Sequence, residues 1–332
     1  MDNITAEAEK TPLNLYEWTM LGIEIAIALI AVIGNGLVIM VVIKTRKMHT
    51  PTYCLLSNLA LADLLTGAVG LNLQMIAQYD RKYQLCVPAY LLLTFFLLLS
   101  QGTVFLIALE RYIAILHPFK YQRLISMRNV IISLVGMYIW ATLIILYTPI
   151  HHLNHPNHPV TLCRYPHVIP LAQGLTTFIT VMVLSFVVAV LYLRILGVAR
   201  YQAQKIEQQR LSASFIENPN NQRVRRHMKR QTKTTIFLSF IAFYLFISWI
   251  PNLLLYTLDY YGVAINKLML VVSVFLGMSN SAINPIIYSL GYADFRQTIM
   301  RVYCSKRTSF NASMNPSVTA SNNGIAMKTI KY

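Results

Sequence analysis

The sequence predicts an all-α membrane protein, a bundle of seven transmembrane helices followed by a short basic amphipathic stretch. Three observations predict it. The 332-residue chain is 56% apolar and only 12% charged, too hydrophobic for an ordinary soluble protein. Seven stretches reach the roughly 20 residues that cross about 30 Å of hydrocarbon as a helix. Lysine and arginine gather at one set of helix ends. Only helices and closed barrels satisfy the backbone in lipid, and these continuous runs lack a barrel's alternation.

Residues 1–17 form an outer N-terminal segment with a glycosylation acceptor at Asn3, in Asn3-Ile4-Thr5. The first span, Trp18–Ile43, holds Asn35 between two glycines and is expected to act as its own insertion signal. The second, Tyr53–Ala77, carries Asp63. The third, Pro88–Ile115, holds Ser100 and contains Glu110-Arg111-Tyr112 near its end. Ionisable groups at membrane depth are expensive and are kept for function. A Glu beside an Arg neutralises it locally and makes a compact polar switch at a membrane face. The fourth span is Val130–Ile150 and the fifth Pro170–Ile195. The sixth and seventh, Thr235–Leu258 and Leu268–Leu290, contain Pro251 and Pro285, each of which removes a backbone donor and kinks its helix. The domain thus covers residues 18–304, and 305–332, rich in Ser, Thr and Asn, reads as a disordered tail.

The net charge of +16 invites a nucleic-acid reading, but its distribution opposes one. With the N-terminus outside, 23 of the 28 Lys and Arg residues fall at or beyond the cytoplasmic helix ends, leaving only Lys10, Arg81, Lys82, Arg164 and Lys267 outside. Cys86 and Cys163 then both face an oxidising compartment, and a bond between them is the natural reading. Cys304 follows the amphipathic stretch as a palmitoylation candidate, and Cys54 reads as buried at a helix start. The polar segment Tyr201 to Gln231 is expected to extend helices five and six beyond the membrane.

Asp63, Ser100, Asn280, Ser281 and Asn284 form a small polar set inside the spans. Asn280 and Asn284 are four apart and share a helix face. Two readings stay open. The oxygens suit a small hard cation, and the same groups suit hydrogen bonding between helices.

Together Asn35, Leu59 to Asp63, the Cys86/Cys163 pair, Glu110-Arg111-Tyr112, Trp140, Trp249-Ile250-Pro251 and Asn284-Pro285-Ile286-Ile287-Tyr288 resemble the rhodopsin-like family of G-protein-coupled receptors. The resemblance runs from about Trp18 to Cys304 and implies a plasma-membrane receptor with no covalent chemistry. It implies that Arg111 meets the G protein when helix six swings out, with Tyr192 and Tyr288 closing beneath it. Phe119 would be an apolar contact for that partner, and an arrestin would be a second one. Asp63, Ser100, Asn280 and Asn284 would hold a sodium ion, with no other cofactor. Residues 292–303 would form the short amphipathic eighth helix. Many family members carry an acid at the position of Gln231, paired with the Arg of span three; Gln cannot form that pair, which implies raised basal activity. Ser248, Leu245 and Leu184 depart from the family's usual residues. The Leu184 departure resembles cannabinoid, lysophospholipid and melanocortin receptors, whereas Glu24 and Phe295-Arg296-Gln297-Thr298 look like adenosine receptors.

Chemistry narrows the ligand. The family's amine receptors place an Asp where this chain has Leu93, and retinal needs a Lys where it has Met278. What remains is a pocket of Leu93, Phe96, Leu97, Trp249, Leu253, Tyr256, Leu270 and Val274, with Gln74, Thr94, Thr176, Thr180 and Asn252 offering hydrogen bonds. Such walls suit a neutral, lipid-like small molecule, and they equally suit ordinary packing. An adenosine-like or peptide ligand is the alternative within the family. His151, His152, His155, His158 and His167 fall in one outer loop, which reads either as a proton or zinc sensor or as a solvated polar loop. A transporter would show inverted repeats and broken helices, and an enzyme paired catalytic groups in the bundle. The sequence carries neither.

Overall fold

The computed structural model of the chain describes residues 14–79, 83–154, 163–212, 243–244 and 246–291, and all its regular elements are helical. The first span is Leu15–Lys44. It starts earlier than hydropathy predicts because Asn14 and Glu17 form a capping box: Asn14 Oδ1 accepts from the Glu17 amide at 3.0 Å and Glu17 Oε2 from the Asn14 amide at 2.9 Å. The second span opens with a proline in its first turn and runs Pro51–Leu65, then passes through a π-helical turn, Thr66–Gly70, into Leu71–Tyr79. Asn72 Nδ2 bonds the carbonyls of Gly67 and Ala68 at 3.0 and 2.9 Å and supports the bulge. The two glycines allow close approach: a Cβ on Gly67 would lie 2.9 Å from the Ala28 carbonyl, and one on Gly70 2.7 Å from Leu93. The span expected from sequence is therefore continuous, with a local π-helical winding that the sequence reading did not anticipate.

The third span, Cys86–Leu116, is the central post and packs against the second, fourth and fifth. A short helix, Pro118–Leu124, follows it. The fourth span, Met127–Ile145, is capped by Ser126 and breaks at Leu146 before a further turn, Tyr147–Asn154. Pro149 cannot donate to the Ile145 carbonyl, which accounts for the break. The fifth span is one helix, Leu171–Ser212, of 42 residues. Its length, roughly 63 Å at 1.5 Å per residue, carries it well past a bilayer, as the polar composition of its last turns predicts. Of the sixth span the structure describes the upper part, where the helix restarts as Ile250–Tyr260 after a turn at Trp249. Pro251 produces that interruption. The seventh span, Lys267–Gly291, keeps Pro285 within it and packs on the first.

Among the described residues six helices are long and apolar enough to cross a membrane. Their outer faces carry exposed apolar side chains, including Ile33, Ile132, Leu143, Val183 and Phe186, which only lipid would cover. The inner faces form a dense core: Val38, Leu55, Leu59 and Ile107 at the Glu110 end, and Leu98, Leu99, Met137, Ala141 and Val181 at mid-height.

Polar groups stitch this core. Asn35 Nδ2 donates to the carbonyls of Ala31 and Ser281, Tyr138 Oη to Asn58 Oδ1 at 3.0 Å, and Asn58 Nδ2 to Thr103 at 2.8 Å. Each interhelical bond of this kind contributes about 0.6 kcal/mol. Free Cys54 is half-buried. Asn3, Gln231, Cys304, residues 292–303 and the tail lie outside the described residues, as do the side chains of Val274 and Tyr288.

Candidate functional site

Two sites lie at opposite ends of the bundle. At one end Cys86 and Cys163 form a disulfide that fastens the loop after the fourth span to the head of the third. Tyr90 Oη donates to the Cys163 carbonyl at 3.3 Å, and Arg164 approaches Asp259 at 3.8 Å. Tyr165, next in the loop, drops inward. Its ring meets Tyr90, Phe178 and Tyr256 at centroid distances of 5.5, 5.9 and 5.3 Å, and Phe178 and Tyr256 meet at 5.2 Å. Burial pushes the Tyr165 phenol up to about 12, so it stays neutral, with the Thr94 and Thr177 hydroxyls beside it. This aromatic plug fills the sector between the third, fifth and sixth spans.

The space left open is a cavity of about 440 Å³. It lies beside the plug and is lined from the first, second, third, fifth, sixth and seventh spans. Of the residues expected to line a pocket, Gln74, Leu93, Thr94, Leu97, Trp249, Asn252, Tyr256 and Leu270 do so. Phe96 does not; it is buried in the hydrophobic cluster at mid-height, with its ring 5.8 Å from that of Phe95. Leu253 packs in the same cluster, while Thr176 and Thr180 lie off the cavity. Thr176 is exposed and bonds its own helix at the Ala172 carbonyl. The lining residue is its neighbour Thr177, fully buried. A sequence signal for this existed. Counting back from Tyr192 in helical steps gives Val188, Ser185, Val181 and Thr177, all of them buried. Glu24, Tyr90, Gln101, Arg164, Tyr165, Asp259 and Ser273 also line the cavity and were not foreseen.

Below the cavity a polar path descends. Trp249 forms its floor and is buried, with an indole N–H that has no hydrogen-bond partner among the described residues. Ser248, next to it, bonds Asn280 at 3.4 Å, and Asn284 Nδ2 donates to Asp63 Oδ2 at 2.6 Å. The hydroxyls of Ser100 and Ser281 lie beside the Asp63 carboxylate without reaching hydrogen-bond geometry with Oδ1.

At the other end Glu110, buried, accepts from Thr52 Oγ1 at 2.9 Å and Tyr121 Oη at 2.8 Å, and its second oxygen lies 3.2 Å from Arg111 Nε. Burial raises the Tyr121 phenol, which keeps it a donor. Tyr192 is buried against Ala108, Tyr112 and Ile115. Phe119 projects fully into the surroundings at 101% exposure.

Residues 34–288 match the family described as "7 transmembrane receptor (rhodopsin family)". The chain belongs to that family. The receptor is similar to the histamine H2 receptor of Homo sapiens, 30% identical over 302 residues covering 86% of this chain and 79% of the relative. It is similar to the histamine H2 receptor of Cavia porcellus, 29% identical over 317 residues, 90% of this chain and 83% of the relative. It is also similar to trace amine-associated receptor 9 of Mus musculus, 29% identical over 295 residues, 84% of this chain and 82% of the relative. Membership makes this a multi-pass membrane receptor and not an enzyme.

The receptor's histidine loop is only partly described, since His155 and His158 fall outside the described residues. His152 meets the Val168 carbonyl at 3.0 Å and His151 stacks near Tyr147. Among the described residues no group of three His, Cys, Asp or Glu side chains could hold a metal ion.

Proposed function

We propose that this receptor takes an extracellular small molecule, apolar over most of its surface, in the cavity beneath the disulfide-bonded loop. Binding there biases the path through Trp249 toward the Glu110–Arg111 switch, and a heterotrimeric G protein, later an arrestin, docks around Arg111 and Phe119. The observation carrying this reading is the continuity of cavity, Trp249 floor and buried polar path between the second, sixth and seventh spans. Size supports it too, because 440 Å³ falls in the range of small-molecule sites. The lining of Leu71, Leu93, Leu97 and Leu270 favours a lipid-like body. The printed names of the relatives favour an amine as a second reading, and buried Glu24 on the cavity wall is the observation consistent with it.

Filling the cavity tests the reading. Leu97→Trp should abolish the response to any agonist found in a screen of lipid-like and amine compounds, while ligand-free signalling stays within about twofold of wild type. Unchanged agonist potency in Leu97→Trp would place the ligand elsewhere.

The oxygens around Asp63 fit a sodium ion, since the buried Oδ1 has no hydrogen-bond partner among the described residues and two hydroxyls flank it. Asp63, Ser100 and Ser281 would hold the ion, with Asn280 and Asn284 engaged alongside by Ser248 and Asp63. Bound there, a sodium ion would supply positive charge to the Asp63 carboxylate, which these residues would hold between the second, third and seventh spans. Replacing potassium by 150 mM sodium (about physiological ionic strength) should lower basal nucleotide exchange several-fold in purified wild type and leave Asp63→Asn unmoved. Equal sodium sensitivity in both proteins would refute the assignment.

A further inference from the structure

The end of the bundle that carries Glu110 bears a one-sided charge. Residues 43–52 and 117–130 include Lys44, Arg46, Lys47, Lys120, Arg123 and Arg128 and contain no Asp or Glu. All six side chains are exposed, and among the described residues none of them meets a carboxylate. An excess of Lys and Arg at one set of helix ends is what membrane insertion alone requires. What sets these residues apart is that the fold gathers them.

The two segments brace each other. Met48 and Val130 share one buried cluster with Ile125 packed against it, and Thr52 and Tyr121 meet on the Glu110 carboxylate. Each segment is also locally fixed. Arg46–Met48 is a tight helical turn whose Met48 amide donates to the Thr45 carbonyl at 2.8 Å. In the elbow before the fourth span, Ser126 Oγ accepts from the Asn129 amide at 3.2 Å, and Asn129 Nδ2 donates to the Leu124 carbonyl at 2.9 Å. The Met127 and Arg128 amides, in the first turn of that span, have no acceptor inside the helix and favour an anion.

The patch lies at the level of lipid headgroups. Ile43, Leu124, Met127 and Ile131 beside it are exposed apolar side chains that lipid would cover, and the fourth span is the least buried of the six. We propose that Arg46, Lys47, Arg123 and Arg128 form a site for the headgroup of a bisphosphorylated inositol lipid. Each phosphomonoester of such a headgroup carries about −1.5 to −2 at neutral pH, which matches a cluster of cations without acids. Arginine adds a planar fork that binds phosphate through two parallel hydrogen bonds. Lys120, beside Phe119, is left to the G-protein side. That the lipid belongs to the cytoplasmic leaflet rests on the proposed function, which places the G protein at this end.

The test uses the full-length receptor in uncharged detergent micelles, with binding read by thermophoresis. The probes are dioctanoyl phosphatidylinositol 4,5-bisphosphate, dioctanoyl phosphatidylserine and soluble inositol 1,4,5-trisphosphate. The bisphosphate lipid should bind at least tenfold more tightly than either of the others. Removing one cation should weaken it about fivefold, and Arg46→Gln, Lys47→Gln, Arg123→Gln and Arg128→Gln together at least a hundredfold. Arg194→Gln with Arg200→Gln, which removes two exposed cations of the fifth span, should leave binding unchanged. Arg46→Gln and Arg123→Gln, made singly, serve if the fourfold variant does not fold. Equal affinity for phosphatidylserine would reduce the patch to diffuse attraction and overturn the proposal. Equal affinity for inositol trisphosphate would overturn it as a lipid site, and so would binding that survives loss of the four cations. The assay needs neither ligand nor G protein, so its failure leaves the proposed function standing.

Discussion

Cys163→Ser lowers surface receptor at least tenfold. The bond it removes joins residues 77 apart in sequence, and both cysteines are buried at the head of the bundle. In the chain-entropy view, closing a loop of that length contributes roughly 4–5 kcal/mol. Folded proteins hold a margin of only about 5–15 kcal/mol, so the loss takes much of it. The bond also sets the position of Arg164 and Tyr165, and with them the loop side of the cavity. Antibody staining of intact against permeabilised cells gives the measurement. Surface staining of Cys163→Ser equal to wild type, with unchanged agonist potency, would show that the loop is held without the bond.

Glu110→Ala raises ligand-free signalling by about tenfold. In the structure Glu110 gathers Thr52 from the second span, Tyr121 from the short helix after the third, and Arg111 beside it. Hydrogen bonds to a charged group contribute about 1.5–3 kcal/mol each, and 1.4 kcal/mol is a tenfold change in an equilibrium. Alanine deletes all three contacts and releases Arg111 from its neighbour. Part of the lost energy is shared by both states of the switch, which keeps the expected shift near one decade. Gln231 sharpens the expectation, because no acid at that position is there to take over the pairing. Nucleotide exchange on a purified G protein, normalised to receptor amount, checks it. Basal exchange at or below the wild-type rate would mean that these bonds hold the active arrangement instead.

The spans were legible because bilayer thickness writes itself into runs of about 20 apolar residues. The Cys86–Cys163 bond was legible from topology, since those two of the four cysteines lie on the outer face. The π-helical turn at Thr66–Gly70 was not, because hydropathy does not register one extra residue per turn and the glycines that permit it read as ordinary membrane residues. The inward face of the fifth span was legible in part. Tyr192 is buried, yet Thr176 was chosen over Thr177, since two adjacent threonines look alike until the helical period is counted along the whole span. The acidic wall was missed for a different reason. Glu24 belongs to the first span and Asp259 to the end of the sixth, and they meet one open space only because the loop that carries Tyr165 folds inward over it. That meeting depends on where a loop folds back, which no local pattern encodes.

The central claim is that this chain couples the cavity to a G protein through Arg111. Its most direct test is ligand-free G-protein activation in cells, run across the main Gα classes, with wild type compared to Arg111→Ala at matched surface expression. The account predicts basal activation of at least one class, lost by tenfold or more in Arg111→Ala. Basal activation that persists undiminished in Arg111→Ala would contradict it.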